Sequence, residues 1–449
     1  MVKNLKVLAA VTVLILLGAS FAFAQEEEGG FDFGLSIGVG AETFDGAIWQ
    51  TIKLSPDIAI GKFGIGLELT MHYQFEPVFT VRQEDWMPTE DYTFLELYLP
   101  KFKYIRYGFK GDPLYAQFGG IEYATIGNGF IIGGYDNTVF LPLYQNRQAF
   151  GLSFDLDGAL FNFPYVGIET FVGNLAEFDV VGSRLYVRPL AFTDIPVIKG
   201  LQVGGTLAMD RKPKLYNVID VLGVPTAAPD DSIDPVMLYG ADLTLPIVSS
   251  ALLSLTTFAD IAFLNNTLGS GNTGKGEMVG LGGRLLGMIN YGAQLRFLGE
   301  DFVPNYFDTG YDLYRKVKYD AVKAENLDPY IGWLGSLGFS FLDDALVFNA
   351  TVDGPIGSPN AGNYLDWPHL YAVFILGEGI VPNISMEAQF DKRSLGNPDV
   401  NFFDDTVIGA RLNYSIGAAV LSIIYQASYD YATDSWDTKS GIESSFQLF

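Results

Sequence analysis

Residues Phe63 to Phe75, FGIGLELTMHYQF, alternate without a break. Phe63, Ile65, Leu67, Leu69, Met71, Tyr73 and Phe75 are large and apolar, whereas Gly64, Gly66, Glu68, Thr70, His72 and Gln74 are small or polar. Successive side chains of an extended backbone point to opposite sides, so a period of two marks a strand with one apolar and one wet face. At about 3.3 Å per residue the stretch runs roughly 43 Å, and at a tilt of about 40° it still exceeds the apolar height of about 25 Å that a membrane-crossing strand must cover. Strands in globular proteins are about half as long. Phe63 at one end and Tyr73 with Phe75 at the other sit where interfacial aromatic residues belong.

The same pattern opens the chain after its leader. Phe31 to Glu42 places Phe31, Phe33, Leu35, Ile37, Val39 and Ala41 on one face and Asp32, Gly34, Ser36, Gly38, Gly40 and Glu42 on the other. The leader, residues 1–24, has the form of an export signal: Lys3 and Lys6, an apolar run from Val7 to Leu17, and Ala22-Phe23-Ala24 as the cleavage site before Gln25. Its loss removes two lysines and no acid, moving the formal charge from −25 to −27. So acidic a chain excludes nucleic acid as a partner. The absence of cysteine excludes disulfides, thiolate metal sites, cysteine nucleophiles and a lipidated cysteine. After Gln25 no run of 18 apolar residues follows, so any membrane crossing must use strands. With 51 Gly, 35 Phe and 25 Tyr, the composition fits many short strands.

From Leu201 onward the connections alternate in length. Long loops at 210–236, 264–277, 298–330 and 353–370 are separated by tight links such as Leu286-Gly287-Met288 and Asp343-Asp344. Short turns on one side and long loops on the other are the arrangement of a closed antiparallel transmembrane β-barrel, with the short turns periplasmic. Here the chain resembles the porin-like outer-membrane barrels of diderm bacteria, over residues 31 to 449 as architecture. The resemblance implies insertion into outer-membrane lipid and recognition of a last strand, ending at Phe449, by the barrel-assembly machinery. Such strands usually carry apolar residues two and four before the last, where this chain has Gln447 and Ser445, its apolar set being Ile442, Phe446 and Leu448. The reading is an all-β fold in which residues 25–449 form one barrel domain. It has about 20 strands, with bounds of roughly 16 and 22, and the section 100–148 supplies one of them.

Parity assigns side chains to lumen or lipid, because an Arg facing lipid at mid-membrane costs roughly 2 to 4 kcal/mol. On the polar parity fall Glu68, His72, Arg184, Arg188, Asp242, Arg284, Arg296, Glu387 and Arg411, a mixed lining suited to an aqueous pore. The section 100–148 breaks the rhythm. Its glycine-rich run Gly119 to Thr138 can fold inward and narrow the lumen, with Arg106, Lys110, Gly127, Asn128 and Gly129 as constriction candidates and Lys101 and Lys103 completing a basic patch.

Chemistry of other kinds finds little support. His72 and His369 are the only histidines and are far apart in sequence, so no metal or other cofactor is implied, and a hydrolase would need His72 without any G-x-S-x-G elbow. The pairs Asp230-Asp231, Asp343-Asp344 and Asp404-Asp405 sit in turns, where Asp is favoured locally. Gly269 to Lys275 matches the phosphate-binding loop, yet Gly276 replaces its Ser/Thr and a strand follows. The expected function is therefore a non-enzymatic channel for passive diffusion of small hydrophilic solutes or ions. The alternatives are a dedicated uptake channel for hydrophobic or sugar substrates, suggested by Tyr306-Phe307 and Tyr311 to Tyr314, and a surface adhesion or structural barrel.

Overall fold

The computed structural model describes residues 31–44, 47–75, 78–88, 93–138, 149–214, 234–265, 273–324, 327–342, 345–357, 367–399, 406–417, 419–430 and 435–447. The export segment, Phe449, the three Asp pairs, residues 139–148 and Gly269 to Asn272 lie outside these. Among the described residues, twenty antiparallel strands close into one barrel. Closure joins the first strand, Phe31–Phe44, to the last, Ser435–Gln447, in register from Ser36 opposite Gln447 to Glu42 opposite Gly441. No helix among the described residues is long and apolar enough to cross a membrane.

The Phe63 stretch is one wall strand interrupted at Glu68, as Phe63–Leu67 and Leu69–Gln74. Both halves pair with Ala47–Ile60 on one side. On the other side the neighbour Phe102–Tyr107 begins opposite Leu67 with a register shift, and the Glu68 N–H donates to the Lys101 carbonyl at 2.8 Å. The interruption therefore marks where one neighbour stops. Residues 95–99, which alternate like a strand, belong instead to a helical turn, Phe94–Tyr98, followed by Leu99–Lys101. Phe94 stacks on Tyr98 four residues on, at 4.5 Å between ring centroids, the spacing that a helical turn brings together. The section 100–148 in turn gives two wall strands, Phe102–Tyr107 and Leu114–Gly119, where the sequence pattern predicts one.

The two ends of the barrel differ. Tight connections at 61–62, 286–288 and 382–383 gather at one end, together with the longer connection 188–201, and the longest connections lead away from the other. The wall is also uneven in height. Six consecutive strands, Phe102–Tyr107, Leu114–Gly119, Gly151–Asp157, Val166–Val172, Val180–Val187 and Gln202–Asp210, have 6, 6, 7, 7, 8 and 9 residues. The next three, Val236–Ser249, Leu253–Asn265 and Thr273–Leu285, have 14, 13 and 13.

Outward parity is apolar and open. Leu185, Leu207, Val279 and Ile423 are all well exposed, while Arg184, Thr206, Gly280 and Ser422 stand beside them on the inward face. So much exposed apolar surface is what a lipid-facing wall presents. Ile442 and Phe446 of the last strand are exposed as well, which accounts for the parity of its apolar set. The architecture is a closed antiparallel β-barrel with an apolar outer face.

Candidate functional site

Two segments fold against the inward face of the wall. The first follows Leu114–Gly119 and forms a separate two-stranded hairpin, Ala124–Ile126 with Ile132–Tyr135. Its tip needs glycine, since Gly127 and Gly129 have φ of 61° and 81°, where a side chain is strained. Between them Asn128 Nδ2 donates to Asp260 at 2.9 Å, and Thr244 Oγ1 donates to Asn128 Oδ1 at 2.8 Å. The Gly127 N–H donates to Glu169 at 3.2 Å. Beneath the tip Arg184 grips Asp242 through two bonds, 2.9 and 2.6 Å, and reaches Glu169 at 3.3 Å. A Cβ on Gly127 would lie 3.2 Å from Arg184, so the tip rests directly on this ion pair.

The second segment, 299–327, lies between the strands Ile289–Leu298 and Tyr330–Phe341 and contains the helix Tyr311–Lys323. Tyr311, Arg315, Lys318 and Val322, at helical spacing, form its buried face, while Lys316 pairs with Asp320 on the opposite side. The two segments are joined by backbone bonds. Asn305 N–H donates to the Phe130 carbonyl at 2.7 Å, Phe307 N–H to that of Ile131 at 3.2 Å, and Gly133 N–H to that of Phe307 at 3.1 Å. Phe130, Ile132, Tyr306, Phe307 and Tyr311 close a common apolar core around this seam.

Buried charge fastens this composite body to the wall. Arg315 donates to Asp179 at 2.8 Å and to Asp210 through two nitrogens, and the Tyr311 hydroxyl donates to Asp210 at 2.6 Å. Burial opposes the Arg315 charge, yet Asp210 and Asp179 hold its pKa well above the ordinary value. Burial pushes the Asp312 carboxyl up to about 8; Arg315 resists this, and Asp179 and Asp210 reinforce it. Farther round, Asp308 accepts from Lys318 at 2.8 Å and from Arg393 at 2.7 Å. Burial brings Lys318 down to about 8 despite Asp308. Burial alone would raise Asp308, but Arg393 and Lys318 hold it below the usual carboxylate range.

The sequence-derived lining residues divide into two groups. Arg184, Asp242 and Arg296 are buried, covered by the inner segments or tied, as Arg296 is, to Asp353 at 2.7 Å. Arg284 and Glu387 are exposed, and the Glu68 and Arg411 side chains are 41% and 42% open. His72 is buried with Nδ1 2.7 Å from Asp85, where it fastens the 83–86 turn. Arg188 closes the Val166–Val187 strand pair at the short-turn end through Asp157 at 2.7 Å. His369, expected in a loop, is the first residue of the strand His369–Val381, bonded to Asp391 at 2.9 Å.

Of the constriction candidates, only Gly127, Asn128 and Gly129 come together. Arg106 belongs to the wall, opposite Gly64, and Lys110 sits in the turn beyond it with Asp155 at 2.6 Å. The basic patch is thereby dispersed, because Lys101 leaves toward Trp86, 4.0 Å from its ring. Sequence pattern does not single out Lys53, Glu443, Asp179, Asp210 or Arg393. Lys53 and Asp57 do share a parity with Thr51 and Ser55, so a face-by-face reading of that strand would find them. Tyr306, Phe307, Tyr311 and Tyr314, the basis for a stacking path, are at most 2% exposed and pack the inner body instead.

Farther round the wall, charges of opposite sign follow one another, with uncharged strands between some of them. Arg411 reaches Glu443 at 3.4 Å, and Lys53 bridges Glu443 at 2.9 Å and Glu68 at 3.1 Å. Beside them the Tyr104 hydroxyl donates to Asp57 at 2.7 Å. Among the described residues no group of acidic or histidine side chains has the geometry to hold a metal ion.

No family model matches the chain, and no curated protein does. Solved barrels are similar at low identity. CdiB from Acinetobacter baumannii is 8% identical with a TM-score of 0.28, over 93% of this chain and 60% of CdiB, so the chain spans three-fifths of that protein's length. OpdL from Pseudomonas aeruginosa is 10% identical with a TM-score of 0.34, over 94% and 99% of the two chains. The FrpB iron transporter from Neisseria meningitidis is 8% identical with a TM-score of 0.36, over 93% and 82%. Likenesses this weak carry no residue and no solute across to this chain.

Proposed function

We propose that the protein is an outer-membrane channel for passive diffusion of small hydrophilic solutes or ions. In this reading residues 1–24 direct export and are cleaved after Ala24, and residues 25–449 form the barrel, which is assembled through its last strand. The observation that carries it is the split of the inward charges. Where the inner body sits, Arg184 and Arg296 are buried, whereas Glu68, Arg284, Glu387 and Arg411 remain open to solvent inside the same wall. The passage is therefore eccentric. It follows the strands Phe31–Phe44, Ala47–Ile60 and Thr406–Ile416 to Ser435–Gln447, and leaves past Arg284 at the short-turn end. Charges of both signs facing water along such a path pass small polar solutes and tune their relative rates. Recording from folded protein in planar bilayers tests this: discrete conductance steps are expected, and a heat-modifiable but electrically silent barrel refutes it.

A further inference from the structure

The short sector of the wall poses a physical problem. At about 3.3 Å per residue and a tilt of about 40°, strands of six to nine residues rise only about 15 to 23 Å, less than the apolar band of about 25 Å. Their neighbours of 13 and 14 residues have height to spare. On the long-loop side this sector turns largely polar, with Phe178 exposed beneath the Arg211 guanidinium. Lys212 pairs with Glu177 at 2.6 Å, and Arg211 donates to the Phe178 carbonyl at 3.1 Å. The missing apolar height must therefore be found at the other end.

There the turns carry large exposed apolar side chains, although the second also holds the exposed Asp194 and Lys199. The connection 158–165 exposes Leu160, Phe161 and Phe163 at 45%, 69% and 52%, and the connection 188–201 exposes Phe192 and Ile195 at 69% and 56%. Both turns have a defined shape. The 158–161 turn is capped by Asp157, which accepts from the Ala159 N–H, and Asn162 ends it with φ of 58°. The 188–201 turn closes through Lys199 N–H to the Ile195 carbonyl at 3.1 Å. Their apolar side chains continue the outward row of Val166, Leu185, Val187 and Val203.

We propose that these two turns are lipid-embedded: Phe161, Phe163, Phe192 and Ile195 enter the hydrocarbon of the inner leaflet and complete the apolar belt where the strands are too short. The occupant is lipid hydrocarbon because the turns are continuous with the lipid-facing wall. The inference rests on the membrane reading of that wall, and its test separates the two.

The chain has no cysteine, so single nitroxide labels can be placed by Phe161→Cys and Phe192→Cys, with Leu185→Cys as a wall reference and Lys62→Cys as a reference in a polar short turn. All four side chains are exposed, so none is needed for packing. In protein reconstituted in phospholipid bilayers, labels at 161 and 192 are expected to collide with oxygen as often as the label at 185. They should collide with a water-soluble nickel chelate several-fold less often than the label at 62. Water-like behaviour at 161 and 192 beside a lipid-like 185 overturns the inference and leaves the barrel in the membrane. A water-like 185 overturns the membrane reading together with the inference.

Discussion

Arg315 Nη1 lies 2.8 Å from the Asp179 carboxylate, and this contact joins the helix inside the barrel to the wall. Both side chains are buried, so the bond is made away from water. Removing one partner of such a pair leaves the other as an uncompensated buried charge, a cost of about 3 to 5 kcal/mol. Arg315→Leu should therefore release the helix Tyr311–Lys323 from Asp179 and Asp210 without opening the barrel. The expected result is a larger single-channel conductance with an unchanged heat-dependent gel shift. Equal conductance in variant and parent means that the helix does not restrict the path.

The hairpin tip predicts a smaller effect of a different kind. Asn128→Ala removes two side-chain bonds, to Asp260 and from Thr244, each worth about 1 kcal/mol net. Gly127→Val acts differently, since it places a β-branched residue at φ 61° and drives its side chain toward Arg184. Asn128→Ala is expected to add rapid current noise at unchanged mean conductance, and Gly127→Val to lower the yield of folded barrel. Noise indistinguishable from the parent's counts against the tip as a latch.

Acidity should tighten the inner helix. With a folded pKa of about 8 against an ordinary 3.8, Asp312 keeps a proton in the docked helix that it releases when the helix is free. Docking therefore weakens as pH rises from about 4 to 8, by at most about tenfold per unit, and is level above 8. Lys318, brought down to about 8, is charged in both states below that value, and Asp308, held low, is ionised in both above about pH 5. Between about pH 5 and 8 only Asp312 acts among these three. Conductance should rise with pH across that window in the parent and stay flat in Asp312→Asn; parallel curves for the two proteins rule this out.

The barrel was legible because alternation is a local property. Phe31 to Glu42 and Phe63 to Phe75 declare their faces residue by residue, and the loop lengths declare the two ends. Local pattern also misleads, as at Leu95, Leu97 and Leu99, where a short run fits a helical turn as well as a strand and the ring contact of Phe94 with Tyr98 favours the turn. The inner body was only half visible. Glycines at 127 and 129 announce a backbone that passes close to something, but the partners of the tip, Thr244 and Asp260, lie 116 and 132 residues from Asn128. The helix at 311–323 carries its spacing in plain view, in Tyr311, Arg315, Lys318 and Val322. Its inner face mixes aromatic and charged residues, so hydrophobicity alone does not reveal it; only the distant carboxylates of Asp179 and Asp210 make that face a buried one.

Lys53 tests which side of the lumen conducts. Its ammonium is shared by Glu68 and Glu443, and Arg411 is the next cation along that wall. Lys53→Gln keeps much of the side chain's reach and removes one positive charge, leaving the two carboxylates to face the passage. A unit charge about 8 Å from a passing ion in water contributes about 0.5 kcal/mol, a factor of about two for a cation and the inverse for an anion. The cation-to-anion permeability ratio should therefore rise about fourfold at low ionic strength and return toward the parent value as salt screens the site. Reversal potentials in a potassium chloride gradient read this directly. An unshifted potential at low salt would mean that ions pass elsewhere, and with it the eccentric path along Lys53, Glu68 and Glu443 would fall.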